Sequence, residues 1–362
     1  MMNQSISLTD NEESQTTPPS GHHLLSLGEN SRILIEKSAI FRNLCLFIVL
    51  ILACVATLGI GTMPISPREV IAVLLGQGSA MSQFIVQDLR LPRLLAALYT
   101  GAAFSLAGCL MQTMARNRLA TPGIIGIDNA AMAFAVSSIV GMGISIAPSI
   151  MALTGAATAT ALAFGLAGGS GTRGYRFIVA GIGIGAIAGA VTQLLLSQVS
   201  IDVANSAYPW TVGSLSARDP VMVKTLGIGL ALCLIASLMF ASQFALLPFS
   251  DQVITGLGAN IKHIRIMALI ICITLTGLAV AVAGPVGLVA LVGPEIARVL
   301  SRYRGIPLIS SALTGALVMI LADLFGRTVL SPIELPVGIV TAVVGGPYLI
   351  WILVRRTSRT SL

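Results

Sequence analysis

Charge is scarce in this chain: 10% of its 362 residues are Asp, Glu, Lys or Arg, and histidine occurs three times. A water-soluble domain of this length needs about a quarter of its residues charged to cover its surface, so a soluble globular protein is excluded. The histidines are His22, His23 and His263, and the five cysteines (Cys45, Cys54, Cys109, Cys233, Cys272) fall singly within apolar runs. Neither type forms a cluster with metal-ligand spacing, so the cysteines read as small packing residues and no metal site is expected. A pore for a naked transition metal would need such ligands; any metal that crosses does so already chelated. The sequence also lacks a G-x-x-x-x-G-K-[ST] phosphate loop, a G-x-S-x-G elbow and an H-E-x-x-H pair, so no catalytic residue is assigned. A net charge of +7 comes without a basic stripe carrying interleaved aromatics, which removes nucleic acid as a partner.

What is abundant is apolar length. Hydrophobic residues make up 55% of the chain, with 37 glycines and a mean hydropathy of +0.92. Runs of about 20 apolar residues, enough to cross ~30 Å of hydrocarbon as helix, recur ten times: 43–62, 92–115, 123–142, 146–168, 176–199, 221–242, 265–283, 284–299, 306–326 and 336–354. The expected fold class is therefore all-α, a polytopic integral membrane protein with about ten transmembrane helices in contact with lipid. With the N-terminus placed inside, fifteen Lys and Arg fall inside and six outside (Arg68, Arg90, Arg93, Arg218, Lys224, Arg327), the asymmetry the positive-inside rule demands. Both termini are then cytoplasmic.

Residues 1–40 are polar and lack the basic start, apolar core and small-residue cleavage site of a signal peptide, so a disordered cytoplasmic tail is expected ahead of a permease domain over 41–362. The first outside loop, 63–90, contains Ser66-Pro67-Arg68-Glu69, the pattern of an N-cap, a proline at the first helical position and a capping-box glutamate. The longest polar inside loop is 244–265, where Ser250 or Asp251 can cap a short helix that Gly256 and Gly258 end. In the fifth span Gly181, Gly185 and Gly189 recur every four residues. That spacing suits close helix packing, and a glycine face also suits the wall of a conduit.

Ionisable groups in hydrocarbon require a partner or water. Asp323 has Arg327 four residues on, and Glu295 has Arg298 three residues on, so both acids are expected in helical ion pairs. Asp128 has no such neighbour. Proline and glycine interrupt the spans at 121–123, 284–285, 293–294, 332–336 and 345–347, which is tolerable only where backbone is buried in protein or lines a cavity. Such interruption points to a transporter rather than an anchor or scaffold.

These residues together are similar to one family. Arg90-Leu91-Pro92-Arg93, Gly101-Ala102, Gly108, Met111-Gln112, Arg116-Asn117 and Leu119 to Gly126 resemble the second-to-third-helix signature of the FecCD/BtuC permeases of type II ABC importers. The match continues through Ala283 to Gly287, Pro294 to Arg298, Ala322-Asp323 with Arg327, and Pro332 to Pro347. The resemblance implies a BtuC-like fold and a permease subunit translocating an iron(III)–siderophore complex, with cobalamin or haem as the alternative cargo. It implies a second permease subunit, two ABC ATPase subunits that hold the Mg-ATP, and an extracytoplasmic substrate-binding protein; this chain itself carries no cofactor. Carried over from the family, Arg90, Arg93 and Arg327 dock the binding protein, and Ser250, Asp251, Ile254, Gly256, Leu257 and Gly258 form the ATPase coupling loop. Gly181, Gly185 and Gly189, with Ser170, Gly171 and Thr172 of an inside loop, are the candidate pathway and gate. Departures from the family pattern are Ser250 for Gly, Ile254 for Ala, Arg118 for Pro and Glu295 for His. From another class, an ion-coupled secondary transporter would require an acidic relay and inverted halves; the sequence has scattered acids and no clear repeat.

Overall fold

The computed structural model describes residues 22–26, 32–61, 63–141, 146–166, 175–216, 218–301 and 305–357. Among them ten long helices form a bundle: α1 Lys37–Gly59, α2 Leu91–Ala115, α3 Ile127–Ile139, α4 Pro148–Leu166, α5 Tyr175–Ser197, α6 Pro220–Met239, α7 Ile261–Ala283, α8 Val289–Ser301, α9 Leu308–Thr328 and α10 Val337–Thr357. Seven helical segments are long and apolar enough to cross a membrane. The runs at 123–142 and 284–299 form helices of only 13 residues, because the turn at Pro122 and the break at Gly284 delay their starts.

Two boundaries differ from the expected ones. Helix α1 starts at Lys37, and before it Arg32–Glu36 pairs antiparallel with His22–Ser26, His22 opposite Glu36. The run R-I-L-I-E carries the β-branched residues that suit a strand; residues 1–21 and 27–31 of the expected tail lie outside the described residues. Ahead of α2, residues Ala80–Gln83 and the π-helical Phe84–Arg90 continue the helix backwards, so the loop expected to reach residue 90 closes near residue 79. Within it Ser66 caps Pro67–Leu74 as the motif predicts, but the Glu69 carboxylate accepts the Ser82 hydroxyl instead of closing the box.

Helix α2 is the hub. Its middle, Gly101 through Gln112, is buried throughout, because small residues let four neighbours approach its backbone. A Cβ at Gly108 would overlap the Ala290 carbonyl of α8, a contact only glycine permits. That carbonyl is the one Pro294, inside α8, leaves without its helical donor. Gln112 Nε2 donates to it at 3.3 Å, so the broken ladder is repaired from α2, as a buried backbone acceptor requires.

The exposed apolar side chains ring the outside of the bundle, among them Phe41, Leu52, Ile187, Ile228 and Val343. Water does not tolerate so continuous an apolar surface, whereas lipid does. The protein is a multi-pass membrane protein. Contacts also sort the connections into two ends. Arg90 meets Met63, and Arg93 meets Glu334, at one; Arg116 meets Asp251, and Ser310 meets Asn43, at the other.

Candidate functional site

At the first end three arginines converge, as the sequence expects, but each is already engaged within the chain. Arg90 lies where the π-helix meets α2. Its guanidinium donates to the carbonyls of Leu58 (2.6 Å), Gly59 (3.2 Å) and Met63 (2.6 Å). It therefore caps the open C-terminal end of α1, where carbonyls lack helical donors and a cation is favoured. Arg93, one turn on, aims its fork at Asp323 with Nε and Nη2 at 3.0–3.2 Å, and reaches Glu334 with Nη1 at 2.7 Å. Arg327 donates to the Thr57 carbonyl and keeps only a 3.9 Å approach to Asp323.

The expected Asp323–Arg327 helical pair is thus the secondary contact. The i,i+4 spacing put the two on one face of α9, but Arg93 approaches from α2 with a planar fork that takes both carboxylate oxygens, a geometry Arg327 cannot reach from its own helix. Asp323 is 4% exposed, while Glu334 is 49% exposed. Burial by itself would raise the Glu334 pKa, but the Arg93 guanidinium and the Ser216 hydroxyl hold it below the usual glutamate range. The solvent-facing part of the cluster is the Arg93–Glu334 edge.

Nearby, a group the sequence reading passed over completes this end. Arg218 stacks 4.4 Å over the Trp210 ring and donates Nε to the Ser214 carbonyl. Its burial pushes its pKa down to about 10. An arginine eight residues after a tryptophan across a turn carries no helical or strand periodicity, so no local pattern marks the pair. It braces Ile201–Val212, whose following Gly213 (φ +82°) abuts Pro285 and accepts from Gly338 N at 3.1 Å.

At the second end the polar loop folds as its composition predicts. Ser250 is the N-cap of Asp251–Gly256, and Gly258 turns at φ +76°. Asp251, in the first turn, accepts Arg265 at 2.7 and 2.8 Å and Arg116 at 3.0 Å. Ile254 is fully buried beneath this short helix, while Val253 and Leu257 are exposed at 47% and 64%. The two departures from the family pattern are therefore structural: Ser250 supplies a cap hydroxyl, and Ile254 an apolar anchor. Helix α7 begins at Ile261, four residues before the loop was expected to end, because Asn260 caps it.

Glu295 and Arg298 form the expected i,i+3 bridge at 3.1 Å, and Arg118 takes the other Glu295 oxygen at 3.0 Å. No sequence rule links 118 with 295, which meet only because the α2–α3 connection folds over α8.

Gly181 and Gly185 of α5 face protein. Gly181 abuts Ile124 and Ile125 of the 3₁₀ turn Pro122–Ile125, and Gly185 abuts Gly126 and Asn129, whose amide donates to the Gly185 carbonyl at 3.0 Å. The spacing thus serves close packing at Gly181 and Gly185, and the exposed face of α5 is instead the one carrying Ile182, Gly183, Ala186 and Ile187. Ser170, Gly171 and Thr172 lie outside the described residues. Asp128 sits in the first turn of α3 with Oδ2 against Gly123 and Oδ1 buried without a hydrogen-bond partner among the described residues. Among the described residues no group of three or more His, Cys, Asp or Glu is placed to hold a metal.

The chain is similar to known proteins along most of its length. Residues 48–355 match the FecCD transport family. The chain belongs to that family. The permease protein YfmE of the Fe(3+)-citrate import system of Bacillus subtilis (strain 168) is 33% identical over 321 residues, covering 88% of this chain and 96% of YfmE. The permease protein FepG of the ferric enterobactin transport system of Escherichia coli (strain K12) is 32% identical over 323 residues, covering 88% and 98%. A solved structure of a transporter of the metal-chelate ABC type in an inward-facing conformation superposes with a TM-score of 0.76 at 25% identity, covering 88% of this FecCD chain and 99% of that one.

Proposed function

We propose that this FecCD-family chain is the permease subunit of an ATP-binding cassette importer that moves an iron(III)–siderophore complex across the cytoplasmic membrane. The observation that carries this reading is the Asp251–Gly256 helix. It is held to the bundle by Ile254 and by two arginines on Asp251, yet presents Val253 and Leu257 outward beside the exposed Phe249. An anchored helix with an exposed apolar face suits the cleft of a partner, here an ATPase subunit that supplies the hydrolysis this chain lacks. Two ATPase subunits, a second permease subunit and an extracytoplasmic binding protein complete the assembly, with both termini of this chain in the cytoplasm.

At the outer end the binding protein docks on the Arg93–Glu334 edge. A carboxylate of the carrier replaces Glu334 on the Arg93 fork while Asp323 keeps the other side of that fork. Arg90 and Arg327 hold α1 and α9 beneath it. Binding of ATP and its hydrolysis then move the inner helix, and that motion reorients the helices bordering a central pathway at the dimer axis. The ten apolar runs hold no His and no cluster of Cys with metal-ligand spacing, which fits a cargo whose iron is already fully ligated.

The test is reconstitution in vesicles with the ATPase and binding protein encoded alongside, offered labelled ferric citrate, a ferric hydroxamate and a ferric catecholate. ATP-dependent accumulation of at least one is expected. Accumulation of haem or cobalamin alone would move the cargo within the family, and uptake driven by an ion gradient without the ATPase would overturn the reading.

A further inference from the structure

The connection between α2 and α3, residues 116–126, touches three separate parts of the molecule. At its start Arg116 sits in the left-handed region, φ 50°, and its guanidinium reaches back to the Leu247 carbonyl at 2.9 Å and to Asp251 at 3.0 Å. In its middle Arg118 holds Glu295 of α8 at 3.0 Å. At its end the 3₁₀ turn Pro122–Ile125 and Gly126 lie in the glycine face of α5, with Gly126 at φ +77° against the backbone of Gly181 and Gly185. Backbone packed this closely against backbone cannot slide without moving its neighbour.

The first half of the connection has room to shift. It borders a polar cleft of about 600 Å³ whose other walls are Ala245, Pro248, Arg298 and Gly305 to Pro307. Arg118 and Glu295 are also two of the four positions at this end where the sequence departs from the family pattern, and they are bonded to each other. A change at one alone would leave either Glu295, whose side chain is 11% exposed, with one cation fewer or Arg118 without its anion.

Resting on the importer reading above, we propose that residues 116–126 act as the lever that passes displacement of the Asp251–Gly256 helix to α5 and α8, with Arg116 and Arg118 as its positioning residues. Arg116 takes up the motion of Asp251, the Arg118–Glu295 pair keeps α8 in step, and the 3₁₀ turn pushes on Gly181 and Gly185. Neither arginine touches cargo or nucleotide.

The experiment uses the whole complex in vesicles, measuring ATP hydrolysis and uptake of whichever ferric chelate the wild type accumulates. Arg118→Glu and Glu295→Arg are compared singly and together, beside Arg118→Pro with Glu295→His, which installs the family pattern as a pair. Each single reversal is expected to lower chelate taken up per ATP hydrolysed about tenfold, and the swapped pair to recover to within about threefold of wild type. A bridge that only stabilised the fold would lower hydrolysis and uptake together by loss of folded complex, leaving their ratio unchanged, and that result overturns the proposal. So does a swapped pair as poor as its singles. A wild-type complex that hydrolyses ATP but imports none of the chelates refutes the importer reading itself, and the lever with it.

Discussion

Replacing Arg93 by methionine separates its observed pairing with Asp323 from its proposed role as the contact for a carrier. Asp323 is 4% exposed and receives three of its contacts, at 3.0–3.2 Å, from Arg93. Removing one partner of a buried ion pair costs about 3–5 kcal/mol because the other charge stays buried. Here Arg327 remains 3.9 Å from Asp323 and the Arg93 side chain is 20% exposed, so water and Arg327 recover part of the loss. The expected cost is about 2–3 kcal/mol, which for a chain of this size lowers the thermal midpoint of the purified protein by roughly 3–4 °C. Arg93→Met combined with Asp323→Leu removes the stranded charge, so most of that midpoint should return while carrier-dependent uptake stays absent. An unchanged midpoint in Arg93→Met would refute the pairing argument. Full uptake in the stable double variant would refute the docking role.

The Glu334 carboxylate is held below its ordinary pKa, so its stabilising contribution is complete above the unfolded value of about 4.3 and is lost as pH falls through the lower folded value. The difference in thermal midpoint between wild type and Glu334→Gln should therefore be constant from pH 8 to about 5.5 and shrink below about 4. Arg90→Gln removes the guanidinium from the Leu58 and Met63 carbonyls and leaves Gly59 with the Ile65 N–H alone, and should weaken the end of α1 by about 1–3 kcal/mol, read as faster hydrogen exchange around residues 59–65 with α7 unaffected. Gly108→Val would drive methyl groups into the Ala290 carbonyl and should cost about 3 kcal/mol or more in folded protein. Gly183→Ala, where nothing lies within 4 Å, should leave the yield unchanged.

The loop 244–265 was legible because its signals are local. A serine before an acidic first turn and a glycine at positive φ specify Asp251–Gly256 whatever the rest of the chain does. The Glu295–Arg298 bridge is legible for the same reason, since three residues apart on a helix is a fixed distance. The Asp323–Arg327 pair was legible by the same rule and is present at 3.9 Å, though not as the nearest contact of Asp323. Its spacing is right, but a guanidinium arriving from another helix has the better approach, and nothing within nine residues of Asp323 announces Arg93. The glycine repeat of α5 fixed only that something comes close; whether that is a backbone or an open conduit depends on where residues 122–126 fold.

Composition and run length, with 10% charge and ten apolar stretches, by themselves determined a polytopic helical membrane protein, since hydrocarbon permits few other ways to satisfy a backbone. Motif order determined the family. Tertiary structure alone decided what the charged side chains do: Arg90 caps α1, Arg93 binds Asp323 and Glu334, and Arg118 meets Glu295. Burying a charge demands a partner but leaves its position in the sequence free, so the choice falls to whichever helix the packing brings within about 3 Å.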